Sequence, residues 1–252
     1  MANDVQTSAA NPNRVDALFS YVVATDSGFA PNLFHGVCTL ACCKPKLRKS
    51  IGNRLLRESG RADIAELRQA DPGFFRAQNL WLVGLAGAGL RDRPRRSVVY
   101  VMQVTDVLDF ASYYAEYLQK RPSRTPPLTS ADPAWHGDAI YDGNDPATAR
   151  QLTPCAHSRG DDEDEGNKWH DLGGRYVLVS DRFICFGAGA SYRPIEEKLH
   201  HGRGHRSHHT PETIAELEAL LNGDWAELLS RPGVPVVVDV PVDPNCGSGR
   251  AK

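Results

Sequence analysis

Three thiols stand close together at Cys38, Cys42 and Cys43, and four cations follow at once: Lys44, Lys46, Arg48 and Lys49. A cysteine attacks as its thiolate, which neighbouring positive charge favours, so Cys38 or Cys42 is a candidate nucleophile. The competing reading is that these cysteines are small buried hydrophobes. Structural zinc takes sulfur and imidazole ligands, but no CxxC knuckle is present. On one strand Cys38 and Cys42 would face one side and Cys43 the other, so no metal site is expected. Lysines on a turn with available backbone N–H groups can hold a phosphate; a solvated basic turn is the alternative.

Two further clusters carry chemistry. Leu199 to His209 is rich in histidine and includes Arg203, His205 and Arg206, with Gly202 and Gly204 permitting close backbone approach. It reads as a nucleotide contact, a metal-binding tract or a plain surface loop. Trp135-His136-Gly137-Asp138 sets an imidazole two residues from a carboxylate, and Asp26 paired with His136 or His205 is a second route to proton transfer. The Gly84 to Gly89 string lacks a dinucleotide fingerprint, and neither a Walker loop nor a nucleophile elbow is present.

The elements that must position these residues are legible in part. Ala17 to Val23 is a β-branched and aromatic run that predicts a strand, and Leu80 to Leu85 and Ser97 to Val104 are two further strand signals, joined as a hairpin with a long loop. Val37 to Cys43 predicts a strand, and Lys44-Pro45-Lys46 a basic turn, because proline disfavours helix at the residue before it. Gly52 and Gly60 limit Arg48 to Ala70 to short helical pieces, the better one at Ala62 to Gln69. Asp109 to Leu118 predicts a helix with Phe110, Tyr113, Tyr114 and Tyr117 on one face. Ala139 to Tyr141 is a brief strand candidate, Asp161 to Glu165 a solvated acidic run, and Arg175 to Phe186 a strand or strand pair. Thr210-Pro211-Glu212 opens a helix that runs to Asn222-Gly223.

Several strands with scattered helices and no βαβ alternation predict an α+β fold, with a curved, mostly antiparallel sheet or small barrel and peripheral helices. The expected organisation is a flexible N-terminus at 1–16, one domain at 17–225, and a C-terminal strand and tail at 226–252. The 252-residue chain is 41% hydrophobic and 24% charged, ordinary for a globular protein. Its net charge of −2 removes the simple case for a basic nucleic-acid binder. No apolar run approaches the roughly 20 residues that span a bilayer, and the polar start lacks a signal-peptide core. A cytoplasmic location without membrane contact is expected, where the six cysteines stay reduced.

Phe19-Ser20-Tyr21-Val22-Val23-Ala24-Thr25-Asp26-Ser27-Gly28-Phe29-Ala30-Pro31-Asn32, continued by Cys38 to Lys46, resembles the nucleotide modification associated domain 2 family. Trp81 to Leu85, Gly137 to Tyr141, Val177 to Gly187 and Gly202 to Arg206 resemble later blocks of that family in the same order. The resemblance implies a bacterial or phage protein acting near modified nucleotides or DNA, with no reaction, cofactor or protein partner specified. It departs at Arg48 to Ala77 and Asp161 to Glu165, which read as lengthened loops. On this basis Asp26 to Lys49 and Gly202 to Arg206 are expected to line one pocket. Phe29 or Phe34 would stack on a base, Asp26 or Asn32 read its edge, and Lys44, Lys46, Arg203 and Arg206 meet phosphate. If the pocket is catalytic, Cys38, Asp26 and His205 are the candidates. A protein-interaction module using the tyrosine-rich helix is the remaining reading.

Overall fold

The structure, a computed structural model, describes residues 11, 13–24, 28–90, 97–123, 136–186, 199 and 204–229. The fold is α+β. Its larger sheet joins β1 (Ala17–Val23), β3 (Leu80–Ala86), β4 (Val98–Gln103), β7 (Phe183–Cys185) and β8 (His205–Arg206) in the order β7-β4-β3-β1-β8. A smaller sheet orders β2 (Cys38–Leu40), β6 (Tyr176–Ser180) and β5 (Asp106–Asp109) as β2-β6-β5. β1 and β3 run parallel and every other pairing is antiparallel, so the described strands form a mixed sheet and a small second sheet, and no closed barrel.

The parallel pair needs a crossover, supplied by β2 and three helices: α1 (Pro45–Ser59), α2 (Ile64–Ala70) and α3 (Phe74–Ala77). Along β3 the side chains alternate between two cores. Leu80 and Leu82 join Phe19, Tyr21, Ile51, Leu55, Met102 and Leu178 between the sheets, while Trp81, Val83 and Leu85 meet Leu217, Leu221 and Trp225 on the other face. Those last residues come from α6 (Pro211–Asn222) and the segment leading to α7 (Ala226–Leu229). Burial on both faces explains why β3 reads as an unbroken apolar run. Behind the smaller sheet a third cluster gathers Phe29, Cys42, Tyr141, Leu172 and Val177 with Phe110 and Tyr113 of α4 (Phe110–Glu116). The aromatic face of α4 therefore points inward.

Three local readings are corrected. Lys44-Pro45-Lys46 is a helix start, not a turn after which helix fails: Pro45 occupies the first helical turn, where its missing N–H costs no bond. Gly52 does not break α1; a Cβ there would lie 2.1 Å from the Tyr176 ring, so the glycine admits that ring against the helix. The acidic run has partners. Asp164 caps α5 (Glu165–Leu172) by accepting from Asn167 N at 3.0 Å, and Glu163 and Glu165 both pair with Lys168 at 2.7 Å. Ala139–Tyr141 makes only an isolated bridge, Tyr141 to Gln151. The expected C-terminal strand lies outside the described residues beyond Leu229, and Ala226–Leu229 is helical. No helix of the described residues is long and apolar enough to cross a membrane.

Candidate functional site

β2 ends at Leu40, and α1 begins at Pro45 after four intervening residues. The connection contains Cys43 at φ 60° and Lys44 at φ 45°, two consecutive non-glycine residues in the left-handed region. Such backbone persists only where the surroundings hold it. Here Cys43 N donates to Asp171 Oδ1 at 2.7 Å, and Arg48 Nε donates to the Cys43 carbonyl at 2.8 Å. Arg48 is fully buried on α1 and also donates to the Tyr176 and Asp171 carbonyls, each at 2.6 Å. One guanidinium thus ties the turn to the end of α5 and the start of β6. Gly174 leaves room for it, since a Cβ there would come within 2.5 Å of the guanidinium.

Asp171 carries the site further. Its Oδ2 lies 2.6 Å from His157 Nδ1 and accepts from the Tyr141 hydroxyl at 2.9 Å. His157 Nε2, the other ring nitrogen, stands 3.6 Å from Cys43 Sγ. The imidazole is held by the Phe29 ring at 4.6 Å between centroids, and its backbone carbonyl accepts from Gln151 Nε2 at 2.9 Å and Asn167 Nδ2 at 3.2 Å. Thiol, imidazole and carboxylate therefore form a line in which the carboxylate fixes one ring nitrogen and leaves the other facing sulfur. Cys43 is half-buried, whereas His157 and Asp171 are enclosed.

Electrostatics follow from that enclosure. Burial alone would depress the His157 imidazole, but the Asp171 carboxylate more than reverses it and holds the ring well above its ordinary value. Burial likewise opposes ionisation of Asp171, yet His157, Arg48 and the Cys43 N–H hold its carboxyl below the ordinary value. Cys38 and Cys42 are fully buried, and burial pushes both thiols well above the ordinary range.

The line opens on a cavity of about 500 Å3. Tyr21, Val23, Phe29, Pro45 and Leu47 give it apolar walls; Cys43, Lys44, Lys46, His170 and His205 give it polar ones. Among the described lining residues are two lysines and two histidines and no carboxylate, so the lining favours an anionic occupant. Lys44 Nζ sits 5.3 Å from the centre of the Tyr21 ring, and burial lowers its pKa. Strand register brings in the second segment of sequence: β8 pairs with β1 so that His205 lies opposite Tyr21.

Phe29, Lys44, Lys46 and His205 all reach the cavity, although Phe29 is buried with its ring against His157. Asn32 does not line it. That side chain is buried, donating to the His136 carbonyl at 2.7 Å and accepting from Lys120 Nζ at 2.6 Å. Cys38 faces Met102 at 3.4 Å between sulfurs, and the Arg206 Nε donates to the His208 carbonyl at 2.7 Å; neither lines the cavity. Asp138, expected beside His136, instead accepts from Thr39 at 2.7 Å and Tyr113 at 2.6 Å. Asp26 and Arg203 lie outside the described residues.

The model of the nucleotide modification associated domain 2 matches residues 15–54 and 77–239, most of the chain. The chain belongs to that family. Its matched segments hold Cys43, His157 and Asp171 together with Lys44, Lys46 and His205. No curated protein and no solved structure matches the chain. The intervening residues 55–76 of this family member include α2 and the end of α1, away from the cavity lining.

Sequence reading missed His157 and Asp171, which come from a loop and from α5, far from Cys43 along the chain. A usable signal was present: a strand, two cysteines and a proline that marks a helix start place Cys43 just ahead of a helix, a setting in which thiols are reactive. Cys42, His157 and Asp171 also offer ligand atoms within 4.8 Å of one another. Asp171 already accepts three donors there and the Arg48 cation sits beside it, so a metal ion would meet spent lone pairs and like charge.

Proposed function

We propose that this family member is a thiol-dependent enzyme that processes a nucleotide or a single nucleic-acid base. One observation supports the reading most: the Cys43–His157–Asp171 line opens on a cavity whose described lining is aromatic and cationic. Cys43 is the nucleophile, acting as the thiolate beside the His157 imidazolium; His157 Nε2 holds the thiol's proton and gives it to the leaving group, and Asp171 orients the ring and balances its charge. The apolar walls accept a base, and Lys44 and Lys46 meet phosphate. A cavity of about 500 Å3 suits one nucleotide, so a base within DNA would have to be turned out of the stack to enter.

Iodoacetamide labelling near neutral pH with peptide mapping tests this directly. Cys43 should be alkylated at least ~10-fold faster than Cys38 or Cys42, and nucleoside monophosphates should slow that labelling. The same nucleotides at one hundred times their dissociation constant should stabilise the protein by about 2.7 kcal/mol in a thermal shift. Equal labelling of all cysteines removes the nucleophile. Silence toward every nucleotide and short single-stranded DNA removes the substrate class.

A further inference from the structure

From the geometry of the three groups we infer that the reaction is acyl transfer: the substrate is a nucleotide-type molecule bearing an amide or ester, cleaved through a thioester on Cys43. This rests on the proposed function and narrows it to one reaction class. The distinguishing feature is that a single ring atom faces the thiol. With Nδ1 held by Asp171 Oδ2 at 2.6 Å, only Nε2 is left to serve Cys43, from 3.6 Å. One atom must then act first as base and next as acid at the same place, which is what making and breaking bonds at one carbonyl carbon requires.

Thiol addition to a pyrimidine ring demands something else. The charge then develops on a ring oxygen remote from sulfur, where an acid other than His157 must stand, whereas the Cys43–His157–Asp171 line supplies a single acid–base atom, placed at the sulfur. Acyl transfer has no such need. Cys43 Sγ attacks as the thiolate, its proton resting on Nε2 of the imidazolium that Asp171 holds, and bonds to the carbonyl carbon, whose oxygen takes the negative charge. That oxyanion lies on the cavity side, where the half-buried Lys44 cation follows the nucleophile in sequence; the Cys43 N–H is already engaged by Asp171 Oδ1. Collapse breaks the C–N or C–O bond, and the leaving amine or alcohol takes the proton from Nε2. Water then adds to the thioester, its proton passes through Nε2 to the departing thiol, and a carboxylic acid is released. The steps are redox-neutral and use water alone as co-reactant.

The full chain should be mixed with p-nitrophenyl acetate, N4-acetylcytidine or 5′-O-acetylthymidine, and the protein followed by rapid-quench intact mass and peptide mapping. The expected result is one acetyl group on Cys43 from at least one of them, absent in Cys43→Ser. Asp171→Asn should slow acetylation by about 10³–10⁴-fold. Because Asp171 is buried, its variant is checked by thermal melting; if it does not fold, Cys43→Ser and the pH profile of wild-type acetylation carry the decision. Rapid alkylation of Cys43 by iodoacetamide with no acetyl transfer from any of the three would overturn this inference and leave the nucleophile assignment standing. Failure of both reactions sinks both. Acetylation scattered over several cysteines, or unchanged in a folded Asp171→Asn protein, also overturns it.

Discussion

His157 Nδ1 stands 2.6 Å from Asp171 Oδ2 in surroundings that leave both side chains almost wholly out of water. A charge pair so placed gains more from its partner than it loses by desolvation only because further donors complete it. Tyr141 and the Cys43 N–H supply those donors, and Arg48 adds its charge nearby.

That relationship fixes a pH dependence. His157 has its pKa raised above 6.5, so its stabilising contribution is complete below that value and is lost as pH rises through the folded-state value. Asp171 has its pKa lowered below 3.8, so its contribution is complete above that value and is lost as pH falls through the folded-state one. The pair is therefore strongest between 3.8 and 6.5. In urea titrations the stability gap between wild type and Asp171→Asn should be widest in that interval and shrink on the alkaline side. A gap independent of pH would mean that the two groups are not an ion pair.

Arg48 should behave as a structural clamp. Arg48→Met takes the guanidinium donors from three carbonyls, of which that of Asp171 keeps the Gly174 N–H, and each buried group left orphaned costs about 1–3 kcal/mol. A fall of several kcal/mol in unfolding free energy, read from the urea midpoint at constant slope, is expected. Gly174→Ala, which pushes a methyl into the guanidinium, should destabilise in the same direction; a neutral result would show that the clamp can move aside.

Asn32 and Lys120 give a second buried anchor. Lys120 Nζ donates to Asn32 Oδ1 at 2.6 Å, to the Asn32 carbonyl at 3.2 Å and to the Val37 carbonyl at 2.8 Å. Burial, only partly offset by Asp138, lowers the Lys120 pKa from 10.5 to about 8. The unfolded chain then holds more protons between these values, so this residue makes stability rise with pH from about 8 to 10.5. Lys120→Met should abolish that rise and also lower stability at neutral pH, since Asn32 and Val37 lose their donor. Asn32→Ala should likewise act on melting temperature. If it changed nucleotide affinity alone, Asn32 would be a reader of the base after all.

The strands were legible because β3, β4 and β6 are short, mostly apolar runs rich in Val, Leu and aromatic residues, and α6 because Thr210-Pro211 and Gly223 mark both its ends. The start of α1 was not. Pro45 forbids helix to Lys44, and that rule is obeyed: Lys44 takes left-handed backbone and helix begins with the proline itself. Phe29, Lys44, Lys46 and His205 reach the cavity as local chemistry suggested, through a loop, a helix start and a two-residue edge strand. His157 and Asp171 were hidden because their role depends on tertiary convergence with Cys43, over separations of 114 and 128 residues. Asn32 was misplaced for the opposite reason: its polar side chain is consumed by Lys120, a partner 88 residues away.

Gly52 supplies a test of the packing behind the site. Its missing Cβ lets the Tyr176 ring lie against α1, and Tyr176 belongs to the strand whose carbonyl receives Arg48. In an open helix Gly→Ala would stabilise by up to about 1 kcal/mol. Here overpacking of about 1–3 kcal/mol should dominate, so Gly52→Ala should lower the melting temperature. A rise would mean that the ring swings away without loss.

Lys46 isolates the charge of the cavity from its chemistry. It is exposed at the rim, makes no contact with the Cys43–His157–Asp171 line, and its removal leaves no buried group unsatisfied. Lys46→Ala should therefore leave folding and iodoacetamide labelling of Cys43 unchanged while weakening a nucleoside monophosphate by about 1 kcal/mol or less, as expected for an exposed charge pair. Because such a contact is screened within about 10 Å at 0.1 M salt, the difference between wild type and variant should shrink as salt is raised. The matching unphosphorylated nucleoside should bind both proteins equally. If the nucleoside loses as much affinity as the nucleotide, Lys46 acts by shaping the cavity rather than by meeting phosphate.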